Sequence, residues 1–302
     1  MMAAPLPRSW LFMPADSERK LLRATECQAD AVILDLEDAV VAGRKVVARE
    51  MAVAFLRAST TPGTHVAGTP ALWVRVNPLS SGLMHDDLAA VLPGAPAGIV
   101  LPKPESIADV RELDRALAGL EASWPGRPPV PIVAIATESA LAVATLSGYV
   151  RPPERLLALT WGAEDLAADL GARESRNADG ELRFTYQLVR SLCQIAAAAA
   201  GRAAIETLSP DFRDEAALVR RATRAAEDGF SGMLAIHPDQ VPIINAAFTP
   251  TAAQVAFARR VLAAFAAVPD AGVVQLDGRM LDRPHHLQAQ RLLDQLPPET
   301  VK

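Results

Sequence analysis

The stretch A-V-I-L-D-L-E-D-A-V at residues 31–40 decides how the chain is read. Four apolar residues, Val32 and Ile33 among them, run straight into Asp35, Glu37 and Asp38 with no helical periodicity. Such a short apolar run bounded by charge predicts a strand buried on both faces of a parallel sheet, whose C-terminal end delivers carboxylates to a loop.

Working outward from it, seven more runs of the same kind occur: residues 10–13, 72–76, 98–101, 132–136, 156–159, 203–206 and 233–236. Most are followed by a polar turn and a helical pattern, as at residues 17–24, 44–57, 107–117 and 212–226. Alternation of strands and helices predicts βα units around a parallel sheet. Eight units in this length match a (β/α)8 TIM barrel, with functional groups where strands end and βα loops begin. Strand counting alone leaves a doubly wound open sheet as the alternative. The Pro-rich residues 124–131 read as an αβ loop, because the alternation resumes after them. The barrel is expected to occupy residues 1–250. Residues 251–302 form a C-terminal helical and lid extension of the same domain: a helix at 252–267, a turn at 269–272, a strand at 273–276 and a helix at 284–296.

Composition bounds the function. Half of the 302 residues are apolar, and 30 Lys and Arg face 35 Asp and Glu, giving a formal charge of −5. The charge is mild and spread along the chain, so nothing predicts nucleic acid or a membrane surface as a partner. No apolar segment approaches the roughly 20 residues of a spanning helix. The first nine residues do not read as a signal peptide. Cys27 and Cys193 are two thiols in a chain too large to need staples, which fits a reducing, cytoplasmic location.

Charged side chains are expensive inside a barrel, yet several strands end on them. Strand two runs into Asp35, Glu37 and Asp38. Strand three carries Arg75 and ends at Asn77. Strand four ends at Lys103 and Glu105, strand five at Glu138, and strand six at Glu164 and Asp165. Any one of these serves equally well as a helix cap. Taken together they converge on one mouth, where carboxylates from adjacent strands suit a hard, water-retaining Mg2+. The five His are scattered, with His285 and His286 paired in the tail, so no Cys/His cluster points to zinc. Arg75 is the least explicable as a cap: it lies within a strand and needs a buried anionic partner, for which a substrate carboxylate is a candidate.

A series of short motifs then carries a resemblance. R-S-W-L-F-M-P at residues 8–14, D-L-E-D-A-V at 35–40, V-R-V-N at 74–77 and L-P-K-P-E-S at 101–106 come first. A-T-E-S-A at 136–140, W-G-A-E-D-L at 161–166, A-I-H-P-D-Q at 235–240 and G-R-M-L-D-R-P at 278–284 follow. In this order the series resembles the citrate lyase β-subunit (CitE-like) proteins of the HpcH/HpaI aldolase superfamily, over almost the whole chain. Ala15 stands where a Gly often follows F-x-P, and Glu206 where an Asp is common after strand seven.

The resemblance implies a Mg2+-dependent carbon–carbon lyase that cleaves or forms a β-hydroxyacyl thioester of the citryl-, malyl- or citramalyl-CoA type. Glu138 and Asp165 match the family's metal ligands, and Arg75 the arginine that grips a keto acid. Glu37 lies in the matching acidic loop, and the backbone of Gly162 and Ala163 lines the keto-acid pocket. Arg8 and Lys20 match candidates for the phosphates of coenzyme A. Asp282 matches a tail aspartate that works as general acid–base over a neighbouring subunit's mouth, which implies a homo-oligomer, a trimer or a hexamer of trimers. The acyl group sits on coenzyme A or on a carrier protein. Four other readings stand beside this one: a malate synthase-like condensing enzyme and thioesterase, a class II pyruvate aldolase, a phosphoenolpyruvate-handling enzyme, and a non-catalytic keto-acid- or CoA-binding protein. Class II aldolases tend to place a His where Asp38 stands. His237, beside Pro238, reads as an anchor of the last βα loop rather than a base, and Lys103 as a salt bridge that orders its loop.

Overall fold

Eight strands close on themselves. In the computed structural model, which describes residues 6–59, 69–268 and 272–296, β1 (Ser9–Pro14), β2 (Ala31–Asp35), β3 (Ala71–Arg75), β4 (Gly98–Leu101), β5 (Ile132–Ile135), β6 (Leu156–Thr160), β7 (Ala203–Glu206) and β8 (Gly232–Ala235) form a closed barrel in chain order. Every neighbouring pair is parallel, and the ring is sealed by Ser9↔Met233, Trp10↔Leu234 and Leu11↔Ala235. This closure excludes the open sheet. The eight strands are those expected, with ends shifted by a residue or so.

Helices α1 (Glu18–Glu26), α2 (Lys45–Ser59), α3 (Met84–Val91), α4 (Ile107–Glu121), α5 (Ala140–Ala144), α6 (Glu164–Asp169), α7 (Phe184–Ala199), α8 (Glu215–Asp228) and α9 (Gln240–Ala247) follow their strands. Starts are set by local chemistry. Ser106 and Asp109 close a capping box on α4, and Asp214 accepts from the Ala217 N–H at the start of α8.

The strands are buried because they are filled from both sides. Trp10, Ala31, Ile33, Trp73, Val100, Val133, Ile135, Ala158, Ile205 and Leu234 form one cluster. Their alternation along the strands marks the inward face, the layered filling of an eight-stranded barrel. Trp10 and Trp73 meet edge to face, 4.9 Å between ring centroids. Gly98 is where the neighbouring strand makes room: a Cβ there would lie 2.1 Å from the Trp73 ring.

Two compact units divide the chain, Pro7–Ala246 and a second made of Leu6 with the residues from Ala247 on. In the second, α10 (Ala252–Ala266) opens on a Thr251/Gln254 capping box. Next come β9 (Val273–Leu276), β10 (Arg279–Asp282) and α11 (Arg283–Asp294). Ala258, Val261, Val274, Leu281, Ala289 and Leu293 pack into its own core. Strand β10 was not expected from the sequence. Its signal is Asp277-Gly278, a two-residue turn with φ of +50° and +74° that pairs β10 antiparallel with β9. Except for Gly272, the turn expected at residues 269–272 lies outside the described residues.

One expectation needs correcting. Residues 240–266 do reach the length and hydropathy of a membrane-crossing helix. The chain interrupts them, however, with Thr249-Pro250-Thr251 between α9 and α10, and Pro250 cannot continue the helical hydrogen-bond ladder. Cys27 and Cys193 are free, and burial pushes the Cys193 thiol well above its ordinary pKa.

Arg8 lies at the opposite end of the barrel from the expected mouth. It precedes β1 and forks onto Asp30, which precedes β2: Nε donates to Oδ2 at 2.8 Å and Nη2 to Oδ1 at 2.9 Å. The Arg8 backbone N–H donates to the same carboxylate. Partial burial alone would raise the Asp30 pKa, but the bonds from Arg8 outweigh it and hold the group below the usual carboxylate range. A depressed folded pKa contributes stability that is complete above the unfolded value, about 4, and lost as the pH falls through the folded value. Both side chains are partly in solvent, so the pair is worth only about 0.5–1 kcal/mol. We expect Asp30→Asn to lower Tm by about 1–2 °C at pH 7. In a pH series of thermal melts the gap should shrink below about pH 4.

Candidate active site

The mouth begins with two residues that face each other across β2 and β3. Asp35 and Arg75 are register partners at the ends of their strands, and both continue the inward alternation of Ile33 and Trp73. The side chains therefore meet inside the rim. Arg75 Nε donates to Asp35 Oδ1 and Nη2 to Oδ2, each at 2.7 Å. The guanidinium lies 4.7 Å from the Phe12 ring centre, and its side chain is only 12% exposed. Asp35 also accepts from the backbone N–H groups of Glu37 and Ala39, which fixes the acidic loop that follows β2. Burial works to lower the Arg75 pKa, but Asp35 and Glu37 outweigh it and keep the guanidinium charged.

The buried anion that Arg75 requires is thus supplied by the protein, not reserved for a substrate. Glu37 is its second partner: Oε2 lies 2.8 Å from Arg75 Nη1, at an angle that makes an ion pair without a hydrogen bond, and this buried oxygen has no other partner. Burial raises the Glu37 pKa, against the pull of Arg75 and Lys103.

Lys103 joins the two sides of the mouth. Two residues beyond β4 it adopts φ +50°. Its backbone N–H donates to Glu138 Oε2 at 2.6 Å. Its ammonium donates to Glu37 Oε1 at 2.5 Å and Asp38 Oδ2 at 2.7 Å, and lies 3.4 Å from Asp165 Oδ1. Lys103 does order its loop, as read from the sequence, but it does so at the centre of the site.

Glu138 follows β5 by three residues and is buried. Its pKa is pushed well above the ordinary value, first by burial and then by the charges of Asp165 and Glu37, against the bond from the Lys103 N–H and the charge of Arg75. Gly162 backs it, and a Cβ there would lie 2.9 Å from Glu138 Cγ. The Gly162 N–H itself donates to Thr137 Oγ1 at 3.3 Å. Asp165 stands in the first turn of α6, half-exposed, and Ala163 caps that helix.

A divalent cation fits this donor set. Among the described residues no three His, Cys, Asp or Glu surround a common metal position. Glu138 and Asp165 alone would leave most positions to water or substrate, the habit of Mg2+ rather than of a closed site. From the protein's side, Glu138 is a buried carboxylate held by the neutral Lys103 N–H, which leaves it short of positive charge.

The structure thus brings together Arg75, Glu37, Glu138, Asp165 and Gly162. It does not bring Arg8, which is corrected to a structural pair with Asp30 at the far end of the barrel. Lys20 is exposed on α1. Asp282 belongs to the second unit, where it caps α11 with Oδ1 2.6 Å from His285 Nδ1. Glu105 is exposed, and its backbone is held by Asp109 and Thr145 at the start of α4, so it acts as part of a helix start. His237 accepts from the Asp239 N–H and stacks on Phe212, anchoring the β8–α9 loop. Asp35 and Lys103 were read as charges at the mouth, but not as the partner of Arg75 and the bridge between Glu37 and Glu138. The signal for Asp35 was there: aligning strands two and three by their apolar runs sets it beside Arg75.

Comparison with known proteins gives a consistent picture. The family model described as HpcH/HpaI aldolase/citrate lyase matches residues 8–238. A citrate lyase subunit beta-like protein of Mycobacterium tuberculosis is 34% identical over 94% of this chain and 93% of its own. A (3S)-malyl-CoA thioesterase of Cereibacter sphaeroides is 33% identical over 95% and 93%. The crystal structure of CitE from Mycobacterium tuberculosis in complex with magnesium, acetoacetate and coenzyme A superposes with a TM-score of 0.76 at 33% identity, covering 98% of this chain and 99% of that one.

Gly162 offers a test of the geometry. In Gly162→Ala the new methyl must displace Glu138, because the carboxylate is tethered on its far side by the Lys103 N–H. We expect affinity for a divalent cation to fall roughly 10–100-fold, as for other residues that support a metal ligand. Isothermal titration of EDTA-stripped protein reads this, with far-UV circular dichroism unchanged.

Proposed function

The chain belongs to the HpcH/HpaI aldolase/citrate lyase family, and from that premise we propose that it is a Mg2+-dependent carbon–carbon lyase. Its substrate is a β-hydroxyacyl thioester that carries a carboxylate beside the hydroxyl carbon, and its products are a keto acid and an acyl thioester. The observation that carries this reading is the mouth itself: Glu138 and Asp165 on one side and the Arg75–Glu37 pair on the other, bridged by Lys103. Coenzyme A is favoured as the acyl carrier because the CitE structure named above holds coenzyme A and the malyl-CoA relative is named for its thioester.

Magnesium, when bound, supplies a Lewis acid at the substrate hydroxyl and carboxylate oxygens. Glu138 and Asp165 would hold it, and the remaining work falls to the chain. Arg75, locked by Asp35 and resting on Phe12, presents a fixed positive charge to the oxygen that becomes the keto group. The buried Oε2 of Glu37, without a hydrogen-bond donor, is an acceptor for the substrate hydroxyl or a water. The backbone at Gly162 and Ala163 lines the keto-acid side. As the hydroxyl passes its proton to Glu37 Oε2 and becomes the keto oxygen, the bond between the hydroxyl carbon and the thioester α-carbon breaks and its electron pair stays on the α-carbon. Asp282 gives that carbon a proton, and takes one in the condensing direction. We place Asp282 over the mouth of a neighbouring copy in a homo-oligomer, a trimer or a hexamer of trimers, with residues 251–302 serving the barrel of residues 1–250 as a catalytic extension. Lys20 remains the candidate for the phosphates of coenzyme A, and the cytoplasm the proposed location, since both thiols are free.

A second reading, in which hydrolysis of the thioester follows cleavage, has one finding in its favour: the malyl-CoA relative is named a thioesterase.

Malyl-, citramalyl- and citryl-CoA, assayed with and without EDTA, test the proposal. We expect Mg2+-dependent release of a keto acid from at least one. Release of free coenzyme A thiol in the same assay marks the second reading, and no keto acid from any of them would refute the lyase. Arg75→Lys, which loses the fork onto Asp35, should cost roughly 10²–10³ in kcat/KM. Activity recovered on mixing Asp282→Ala with Glu138→Gln supports a shared site, whereas an active monomer excludes it.

A further inference from the structure

Four carboxylates meet one residue in this mouth. The Lys103 ammonium lies within 3.4 Å of oxygens from Glu37, Asp38 and Asp165, and the Lys103 N–H holds Glu138. The backbone reaches both ways only because Lys103 sits at φ +50°. This left-handed conformation costs a residue with a Cβ roughly 1–2 kcal/mol, so it persists because the surrounding contacts hold it. A helix cap or a surface salt bridge would not need it. The ammonium itself stands among the oxygens of three of these carboxylates, which keeps Glu37 and Asp38 turned toward it.

Resting on the reading of Glu138 and Asp165 as the Mg2+ ligands, we propose that Lys103 is a positioning residue that sets the composition and selectivity of the metal site. It holds Glu37 and Asp38 on its ammonium and so keeps them out of the coordination shell. The ion then has two protein ligands and open positions for the hydroxyl and carboxylate of the substrate. Without the ammonium, Glu37 and Asp38 are free to swing onto the cation. More carboxylate oxygens make a closed site, tighter for any divalent cation and best suited to Ca2+, which takes six to eight oxygens where Mg2+ takes six in a strict octahedron. The same closure removes the positions the substrate needs, and draws Glu37 away from Arg75.

The consequences run in opposite directions, which separates this role from a purely structural one. We expect EDTA-stripped Lys103→Met to bind Mg2+ on the order of tenfold more tightly than wild type, because a like charge has left a half-buried site. Binding of Ca2+ should tighten more than that of Mg2+. Pyruvate binding to the Mg2+-loaded protein should weaken roughly tenfold, through the loss of open positions. Lys103→Gly, which suits the backbone at φ +50° and keeps the N–H that Glu138 needs, should behave as Lys103→Met in all three titrations. Lys103→Arg retains the charge and should stay near wild type for both metals. Calorimetric titration of each metal and of pyruvate reads these effects without any turnover assay. If Lys103→Met and Lys103→Gly bind Mg2+ as wild type does or more weakly, or if Ca2+ gains no more than Mg2+, the inference is overturned while the metal site stands. If wild type takes up no Mg2+ at all, the reading of the site falls and this inference with it.

Discussion

The fork of Arg75 onto Asp35 is the interaction from which the rest of the mouth is built. A buried ion pair is costly, because both groups leave water, and it is held here by two parallel bonds, a third oxygen from Glu37 and an aromatic face beneath. Its importance is positional. Asp35 also accepts the N–H groups of Glu37 and Ala39, so the turn after β2 is wound around its carboxylate. Glu37 is thereby aimed at Lys103, and Lys103 in turn tethers Glu138. A contact between the ends of two adjacent strands thus propagates across the barrel opening to β5. Breaking it leaves Asp35 buried without its cation and releases Glu37 as well, so the damage would extend beyond one side chain.

Supporting pairs keep that chain of contacts from shifting. Lys45 donates to the backbone carbonyls of Leu36 and Glu37 and to Asn77 Oδ1. Asn77 is held by Asp87, and Asp87 by Arg49. On the other side of the opening, Glu206 accepts from Trp161 Nε1, Arg190 Nε and the Thr207 N–H. That buried carboxylate has its reach filled by Trp161 and Arg190. It fixes the end of β7 beside the loop that carries Gly162. Both sides of the mouth therefore rest on buried carboxylates paired within the protein.

The sequence was most informative where geometry follows from pattern alone. Strand runs such as residues 31–34 and 98–101 are short, apolar and bounded by charge or Pro, and an all-parallel sheet buries them on both faces. Eight of them implied a ring of strands with its charges at one end. Motif order then named the residues around Glu138 and Asp165. What stayed hidden depended on register and backbone angle. Arg8 is the exception: it precedes the first strand, which already sets it at the far end of a parallel barrel, and the motif that contains it obscured this. The place of Asp35 in the site follows from its pairing with Arg75, a fact of register. The φ of Lys103 has no side-chain signature, and the hairpin at Asp277-Gly278 was masked by the helix expected after it.

The charges in the mouth also bear on the order of events. Asp35, Glu37, Asp38, Glu138 and Asp165 are five carboxylates, while Arg75, Lys103 and Lys45 supply three positive groups near them. The protein compensates the β2–β3 side by direct pairing and leaves the β5–β6 side short, where burial and neighbouring negative charge drive the pKa of Glu138 upward. An anionic substrate approaching this opening would meet net negative charge, an unfavourable encounter in a half-desolvated cleft. A divalent cation held by Glu138 and Asp165, as proposed, would offset the deficit and give the incoming anion a positive anchor. The asymmetry follows from two strand ends: β3 brings an arginine to its own neighbour, while β5 and β6 bring carboxylates and no basic side chain.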